Sequence, residues 1–344
     1  MHENYNPIDT IKSSASKRLS ISQFFHKGSH TTNAYRIFNG FYEGIPGLVL
    51  DRYGSALVIF DHSETREFSH LIDEIKHWAV SDFNGLDSVL YKQRQHPESS
   101  MRQGQLLVGS QLPDQIVEFG VRYAVDLQLH QDASFYLDTR HLRQWLIDNM
   151  AGKRVLNTFA YTGSLGIAAG AGGASHMIQT DLNEKFLLIA QRSWALNQLP
   201  VEKHHTITGD FFRVTGRLRN EGTLFDCVIV DPPFFSTTNA GKVDLQDETT
   251  RLINKVRPIV AHQGWLVVIN NALFHSGASF MAELGSLCKS EYLNLESTIT
   301  IPTDITGYPE TIVTLPPVDP APFNHPTKIA ILKVLRKDLR KSPF

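Results

Sequence analysis

The sequence predicts an α/β protein in which a small α+β domain precedes a larger domain built on a mostly parallel sheet. Over residues 154–335, apolar runs that fit strands alternate with segments of helical periodicity, which is typical of parallel sheets. Before residue 129 the strand candidates are separated by glycine and proline turns. A glycine turn between two later strands, with an acidic residue after the second, indicates a nucleotide-binding βαβ unit.

Composition excludes several classes of protein. The chain has 344 residues, 42% hydrophobic and 20% charged, with a net charge of −2, as expected for a soluble globular protein of two or three domains. Its two cysteines, Cys227 and Cys288, are far apart and belong to no His/Cys cluster, so we expect neither disulfides nor a metal, and a cytoplasmic location. No leader or long apolar run predicts secretion or a membrane span. Near-neutral charge also argues against a general nucleic-acid coat.

The chain divides into three parts in this interpretation. Residues 1–32 are polar and predict a partly ordered arm, residues 33–128 a small α+β domain, and residues 129–344 the larger domain. In the small domain we expect a helix over 71–80 and strands at 35–38, 47–51, 56–60, 88–92, 105–108, 116–119 and 122–127.

The βαβ unit begins the larger domain. Residues 154–159 fit a strand, 161–163 a tight turn, 166–170 a helix of small residues and 176–180 a second strand that leads to Asp181. Gly163, Gly166 and Gly170 lack the G-x-G-x-x-G spacing that a dinucleotide requires. S-adenosylmethionine carries no phosphate and needs only a close turn and a carboxylate for its ribose. A plain βαβ unit without a ligand is the alternative.

Polar residues follow the remaining strand candidates as well. Helices are expected over 184–197, 248–260 and 279–289, and strands over 206–208, 225–230, 265–269, 293–301 and 328–335, the last two forming an antiparallel edge. Because ligands bind at the carboxyl ends of parallel strands, Asp181 and Asp210 are candidates for the ribose and the adenine amine of S-adenosylmethionine. Asn270 and Asn271 follow the fifth strand.

The most specific local pattern is Asp231-Pro232-Pro233-Phe234. Two prolines cannot continue a hydrogen-bonded ladder, so they predict a rigid elbow that presents a carboxylate and an aromatic face. Such an elbow suits a planar base, because polar groups can accept from an amine edge while an aromatic ring stacks. A proline turn that merely ends the strand is the alternative.

Two further segments, residues 131–143 and 302–326, have more than one possible role or no regular pattern. Residues 131–143 combine charged and aromatic residues before a helix for which Asp138 is the expected N-cap, and they fit either a ligand wall or a capped helix. Residues 302–326 contain seven prolines, and we favour a lid over the carboxyl ends of the sheet.

Taken together, five motifs resemble class I S-adenosylmethionine-dependent RNA methyltransferases related to the bacterial 23S rRNA large-subunit enzymes. The motifs are TNAYR at 32–36, GIPGLVLDRYG at 44–54, FYLDTR at 135–140, VLNTFAYTG at 155–163 and DPPFF at 231–235. The resemblance implies a seven-stranded Rossmann-like domain behind the small α+β domain, with contact to RNA by the small domain. The cofactor residues it implies are Phe135, Asp138, Arg140, Asn157, Phe159, Tyr161, Thr162, Gly163, Asp181, Leu182, Asp210 and Phe211. The catalytic residues it implies are Asp231, Pro232, Pro233, Phe234 and Asn270.

The sequence departs from the cytosine-C5 members of that family in two ways. Those members often open with an RNA-binding domain of about seventy residues, where only about thirty polar residues stand here. They also place a cysteine just after the fifth strand, whereas this chain has Asn270-Asn271-Ala272, similar to the guanine-N7 members. We therefore expect methylation of a base nitrogen in RNA, with ribosomal RNA as partner. A small-molecule or protein methyltransferase, and a non-catalytic RNA-binding or ribosome-assembly protein, are the alternatives, and the oligomeric state is open.

Overall fold

The computed structural model describes residues 6–25, 32–64, 68–82, 84–233, 235–238, 241–244 and 249–336. Two compact units are present, one formed by Met1–Asp138 with Pro302–Leu315 and the other by Thr139–Ile301 with Pro316–Phe344. The first boundary falls at residue 138, ten residues after the predicted one. The first unit also includes Pro302–Leu315, which the sequence prediction assigns to the larger domain.

The helices, in chain order, are α1 (Pro7–Phe25), α2 (Gly40–Glu43), α3 (Ser69–Asp82), α4 (Ser99–Gln103), α5 (Arg140–Asn149), α6 (Ser164–Ala171), α7 (Glu184–Leu196), α8 (Phe211–Asn220), α9 (Thr249–Val256), α10 (Gly277–Cys288) and α11 (Thr303–Thr306). The strands are β1 (Ala34–Asn39), β2 (Leu48–Tyr53), β3 (Ala56–Asp61), β4 (Ser88–Gln93), β5 (Gln105–Val108), β6 (Gln115–Glu118), β7 (Val121–Ala124), β8 (Arg154–Thr158), β9 (His176–Asp181), β10 (His204–Thr208), β11 (Phe225–Val230), β12 (Phe235–Thr238), β13 (Gly241–Asp244), β14 (Val260–Asn270), β15 (Leu293–Ile299) and β16 (Lys328–Val334). None of the described helices combines the length and the apolar character needed to cross a bilayer.

The first unit contains a five-stranded sheet in the order β1-β2-β3-β4-β5 and a separate β6-β7 ribbon. Its core includes the apolar face of α1, where Ile8, Ile11 and Ala15 are 5%, 0% and 0% exposed. The segment expected to be a polar, partly ordered arm is therefore a helix over Pro7–Phe25. Three apolar residues at helical spacing are enough to bury one face against the sheet although the rest of the segment is polar.

Residues 302–315 are fastened to the first unit by hydrogen bonds. Asp304 accepts from the backbone N–H of Arg36 at 2.9 Å, and the backbone N–H of Val313 donates to the carbonyl of Tyr42 at 2.8 Å. The hydroxyl of Thr311 donates to Glu43 at 2.6 Å. The sequence favours one continuous lid over 302–326, but the structure splits that segment, and only residues from Pro316 onward belong to the second unit.

The second unit contains a seven-stranded sheet in the order β10-β9-β8-β11-β14-β16-β15. The first five strands are parallel, and β16 runs antiparallel to both β14 and β15, as the sequence predicts for the closing pair. This order reverses direction between β8 and β11. The predicted seven-stranded Rossmann-like sheet is confirmed.

Three local features of the second unit differ from the prediction. Helix α5 begins at Arg140 with Thr139 in the N-cap position, so Asp138 is not the cap residue. Helix α8 is absent from the predicted elements. Phe211, Val214 and Leu218 are buried at helical spacing, and a crossover between parallel strands is usually a helix. The β12-β13 hairpin is also unpredicted.

Candidate active site

The sheet topology brings the predicted site residues that follow strands of the second unit to one edge. The carboxyl ends of β8 and β11 are neighbours, because Thr158 pairs with Val230 in the parallel register. Phe159 and Asp231 therefore follow adjacent strand ends, at the point where the strand order reverses. Ligands of open α/β sheets bind at such a switch point.

The turn after β8 holds two non-glycine residues in the left-handed region. Phe159 has φ 54° and Tyr161 has φ 51°, and each such residue costs on the order of 1–3 kcal/mol. Two bonds to the next strand hold this backbone: the N–H of Ala160 donates to the carbonyl of Thr180 at 2.9 Å, and the N–H of Tyr161 donates to Oδ2 of Asp181 at 2.8 Å. The strained turn thus depends on the acidic residue at the tip of β9.

Asp181 is organised by backbone donors. Its Oδ1 accepts from the N–H of Asn183 at 2.9 Å while Oδ2 accepts from Tyr161. Burial raises the pKa of the Asp181 carboxyl, and the backbone donors oppose that shift. The backbone of Leu182 is a third donor, and because a carboxylate has about four acceptor positions, room is left for a further donor such as a ribose hydroxyl.

Gln179 fixes the amide of Asn157, and the sequence does not single it out. The Nδ2 of Asn157 donates to Oε1 of Gln179 at 3.2 Å, and Nε2 of Gln179 lies 3.0 Å from Nε2 of His204. Burial lowers the pKa of His204 to about 4, so the imidazole is neutral and its Nε2 accepts. Among the described residues, Oδ1 of Asn157 is buried and has no hydrogen-bond partner. A glutamine inside the buried strand β9 is the sequence signal that could have identified this network.

Close packing requires Gly163 of the turn and Gly166 of α6. A Cβ on Gly166 would lie 2.4 Å from Oε1 of Gln179, and a Cβ on Gly163 would lie 2.4 Å from Cβ of Ala190. Gly163 also has φ 82°, which side chains rarely adopt. These residues let α6 approach β9 and α7 closely. Their spacing in the sequence is not the G-x-G-x-x-G pattern of a pyrophosphate site.

A pair of aromatic rings lies beside this turn. The rings of Phe159 and Phe211 are stacked, with centroids 4.6 Å apart and planes 23° apart. Asp210 caps α8, since its Oδ1 accepts from the N–H of Arg213 at 3.1 Å. Leu182, which follows Asp181, is 52% exposed. The structure thus brings together most of the cofactor residues that the resemblance implies in the second unit.

The elbow after β11 and the end of β14 form the other half of the candidate site. Asp231 is half-buried, Pro232 is buried and Pro233 is exposed, while Phe234 lies outside the described residues. Asn270 is 0% exposed, and both ends of its carboxamide are engaged: Nδ2 donates to Thr249 Oγ1 at 3.3 Å and Oδ1 accepts from the N–H of Ala272 at 3.0 Å.

Comparison with known proteins decides the family. A family model described as S-adenosylmethionine-dependent methyltransferase matches residues 64–292. The chain belongs to the S-adenosylmethionine-dependent methyltransferase family. The predicted cofactor and enzyme class are thereby confirmed.

Named relatives agree with this family, and a solved structure shares the fold. Ribosomal RNA large subunit methyltransferase I of Serratia proteamaculans is 34% identical over 210 residues, covering 59% of this chain and 52% of the relative, so the match spans about half of that protein's length. A Bacillus subtilis relative, provisionally named ribosomal RNA large subunit methyltransferase YwbD, is 28% identical over 81% of this chain and 72% of its own. The crystal structure of SMU.776 with SAH shares the fold, with TM-score 0.81, 24% identity and coverage of 97% of this chain and 83% of that chain.

Neither cysteine of this methyltransferase lies at the end of β14. Cys227 is buried inside β11, and Cys288 is the last residue of α10. Burial raises the pKa of both thiols, which disfavours the thiolate that a covalent mechanism requires.

The cofactor residues expected in the segment 135–140 are divided between the two units. In the first unit Phe135 is buried against the ring of Tyr123, with centroids 5.0 Å apart, and its carbonyl accepts from the hydroxyl of Tyr53 at 3.0 Å. Asp138 ends that unit, whereas Arg140, 2% exposed, begins α5 of the second. Thr162, in the turn after β8, is 4% exposed. The cofactor roles of these residues remain predictions.

Proposed function

We propose that this methyltransferase modifies a base nitrogen of RNA and that large-subunit ribosomal RNA is its substrate. The observation that carries the proposal is the end of β14, where Asn270 and Asn271 stand and neither of the two cysteines lies. Methylation of cytosine C5 needs covalent addition of a thiolate, whereas a base nitrogen attacks directly with its own lone pair. The names of the relatives supply the class of RNA, and a cytoplasmic location remains the expectation from the sequence.

The second unit offers groups that fit S-adenosylmethionine. Asp181 can accept from ribose hydroxyls, and the stacked rings of Phe159 and Phe211 offer an apolar surface for adenine. The buried Oδ1 of Asn157, which lacks a partner among the described residues, suits an ammonium or amine donor. When bound, the cofactor supplies a methyl group on a sulfonium sulfur that leaves as a neutral thioether.

The residues of the protein act mainly by alignment. Pro232 and Pro233 restrict the elbow after β11, and the Asp231 carboxylate at its start is the group that would accept from the amine edge of a base. The lone pair of the base nitrogen forms the new N–C bond, and the nitrogen gains the positive charge or loses a proton to solvent. Alignment of two reactants can contribute about 7–11 kcal/mol to such a displacement, so no strong acid or base is required.

The test compares ribosomal RNA from cells with and without the gene by mass spectrometry of nuclease fragments. We expect one N-methylated nucleoside of the large-subunit RNA to disappear and to return when purified protein is added. Complementation with Asp231→Ala is expected to fail, whereas Asp148→Ala, which changes an exposed carboxylate of α5, restores the methyl group.

Two outcomes contradict the proposal. Loss of 5-methylcytidine, or a covalent adduct between the protein and RNA that contains 5-fluorocytosine, would show C5 chemistry. Unchanged methylation of all RNA, with activity on a small molecule or protein instead, would retain the cofactor site and reject the substrate class.

A further inference from the structure

Buried polar side chains hold the turn that follows β14 by hydrogen bonds. The amide of Asn270 connects Thr249 to the backbone N–H of Ala272. From the neighbouring strand, Lys328 is 0% exposed and its Nζ donates to the carbonyl of Ala272 at 3.1 Å and to that of Pro326. Lys328 pairs with Asn270 in the β14–β16 register, so two adjacent strands hold the same short turn.

The next residues present different groups to solvent. Asn271 is exposed, and its carboxamide makes no hydrogen bond within the described part of the chain. Phe274 is 71% exposed and Leu273 is 44% exposed. A polar group with one donor side and one acceptor side therefore stands three residues from an exposed aromatic ring on a rigidly supported turn.

This turn lies beside the elbow that carries Asp231. Val230 pairs with Val268 in the parallel register of β11 and β14, so Asp231 follows a strand end that is adjacent to Ile269 and Asn270. Exposed groups here are continuous with the edge at which the proposed substrate base enters. Single-stranded RNA is read by stacking of an unpaired base on an aromatic side chain and by hydrogen bonds to the edge of that base.

We propose that Asn271 is the residue that reads the edge of the target base, that Phe274 supports an unpaired RNA base by stacking, and that Asn270 and Lys328 are positioning residues. This inference rests on the proposed function and assigns the specificity of the same site. It also moves the catalytic role expected for Asn270 to its neighbour. Asn270 is 0% exposed and both ends of its carboxamide hold the turn, so a base could reach it only if the turn moved.

The test uses the purified full chain, labelled S-adenosylmethionine and ribosomal RNA from the deletion strain. We expect Asn271→Ala to lower kcat/KM by about 10- to 100-fold, the range that loss of a paired base contact gives. Asn271→Asp, which keeps an acceptor and loses the donor, is expected to increase the share of methyl groups on nucleosides other than the main product. Phe274→Ala is expected to raise KM for RNA more than it lowers kcat.

Matched controls come from the end of the sheet at which the parallel strands begin. Asn220, an exposed asparagine at the end of α8, and Val201, 79% exposed before β10, are changed to alanine and are expected to leave kcat/KM unchanged. Cofactor affinity and the thermal midpoint should be the same in Asn271→Ala, Asn220→Ala and the wild type. A purely structural role of Asn271 predicts instead a lower midpoint and unchanged product selectivity.

The outcomes separate this inference from the function on which it depends. Wild-type activity on RNA with Asn271→Ala as active and as selective as Asn220→Ala overturns the assignment and leaves the proposed function intact. Absence of wild-type activity on any RNA, with cofactor still bound, rejects the proposed function and the assignment together. Activity of Asn271→Ala with a loss confined to Asn270→Ala would return the base contact to Asn270.

Discussion

Gly166 offers a direct test of how the turn after β8 is built. The residue lies in helix α6 without a left-handed φ, so its substitution by alanine meets a steric obstacle and no backbone strain. The new Cβ would lie 2.4 Å from Oε1 and 2.5 Å from Cδ of Gln179, and 2.9 Å from Cε of Met177. Gly285 in α10 is the matched control, because it is exposed and a Cβ there meets nothing within 4 Å.

The expected free energies follow from two opposing terms. Replacing a helical glycine by alanine stabilises the folded state by about 1 kcal/mol. Gly285→Ala should gain this amount. At Gly166 the overpacking cost of about 1–3 kcal/mol opposes the gain, so the free energy of unfolding should fall below that of Gly285→Ala by about 1–3 kcal/mol. Because displacement of Gln179 also disturbs its bond to Asn157, only Gly166→Ala should weaken cofactor binding.

The assay is urea unfolding of both variants, combined with calorimetric titration of S-adenosylmethionine. A double variant tests the cause: Gln179→Ala removes the two nearest of the atoms that the new Cβ meets, so Gly166→Ala should cost less in that background than in the wild type. Equal stability of Gly166→Ala and Gly285→Ala, or strict additivity with Gln179→Ala, would refute the packing explanation.

Two further predictions concern charged groups. Asp181→Ala should chiefly raise the cofactor dissociation constant, by about tenfold or more for loss of charge-assisted hydrogen bonds, whereas Asp231→Ala should chiefly lower kcat; equal cofactor affinity of Asp181→Ala and wild type would remove Asp181 from the ribose role. Lys92, 0% exposed, has its pKa lowered by burial from 10.5 to about 7. Between these pH values the unfolded chain binds more protons than the folded one, so stability relative to Lys92→Met should rise with pH by at most about 1.4 kcal/mol per unit, and a constant difference from pH 7 to 10 would contradict the burial effect.

Local sequence determined the elements whose signals are complete within a few residues. The continuous apolar run before Asp231 predicts β11, and the alternation of strands with helices predicts the parallel sheet and its antiparallel closing pair. The turn after β8 and the carboxylate at the tip of β9 are likewise readable from residue type and order. Each of these depends on short-range periodicity, which the chain carries without reference to distant residues.

Elements whose sequence signal is weak were not predicted from the sequence. Helix α1 buries three apolar residues within a polar segment. Helix α8 has a capping aspartate and an apolar stripe, but its overall composition is polar. In both cases most of the helical stability comes from packing against a sheet rather than from the segment itself. The same holds for residues 302–315, which lack periodicity and are fastened by hydrogen bonds to β1 and α2.

Sequence alone established a methyltransferase fold and named the strand ends that form its site. Only the tertiary structure decided which of these side chains are buried and hydrogen-bonded and which are exposed, because that depends on groups far apart in the chain. Thr249 accepts from the amide of Asn270 and Lys328 donates to the carbonyl of Ala272, so two different elements hold the same turn, while Asn271 beside it is exposed. Adjacent asparagines of identical chemistry thus differ in burial and in hydrogen bonding, which residue type cannot show.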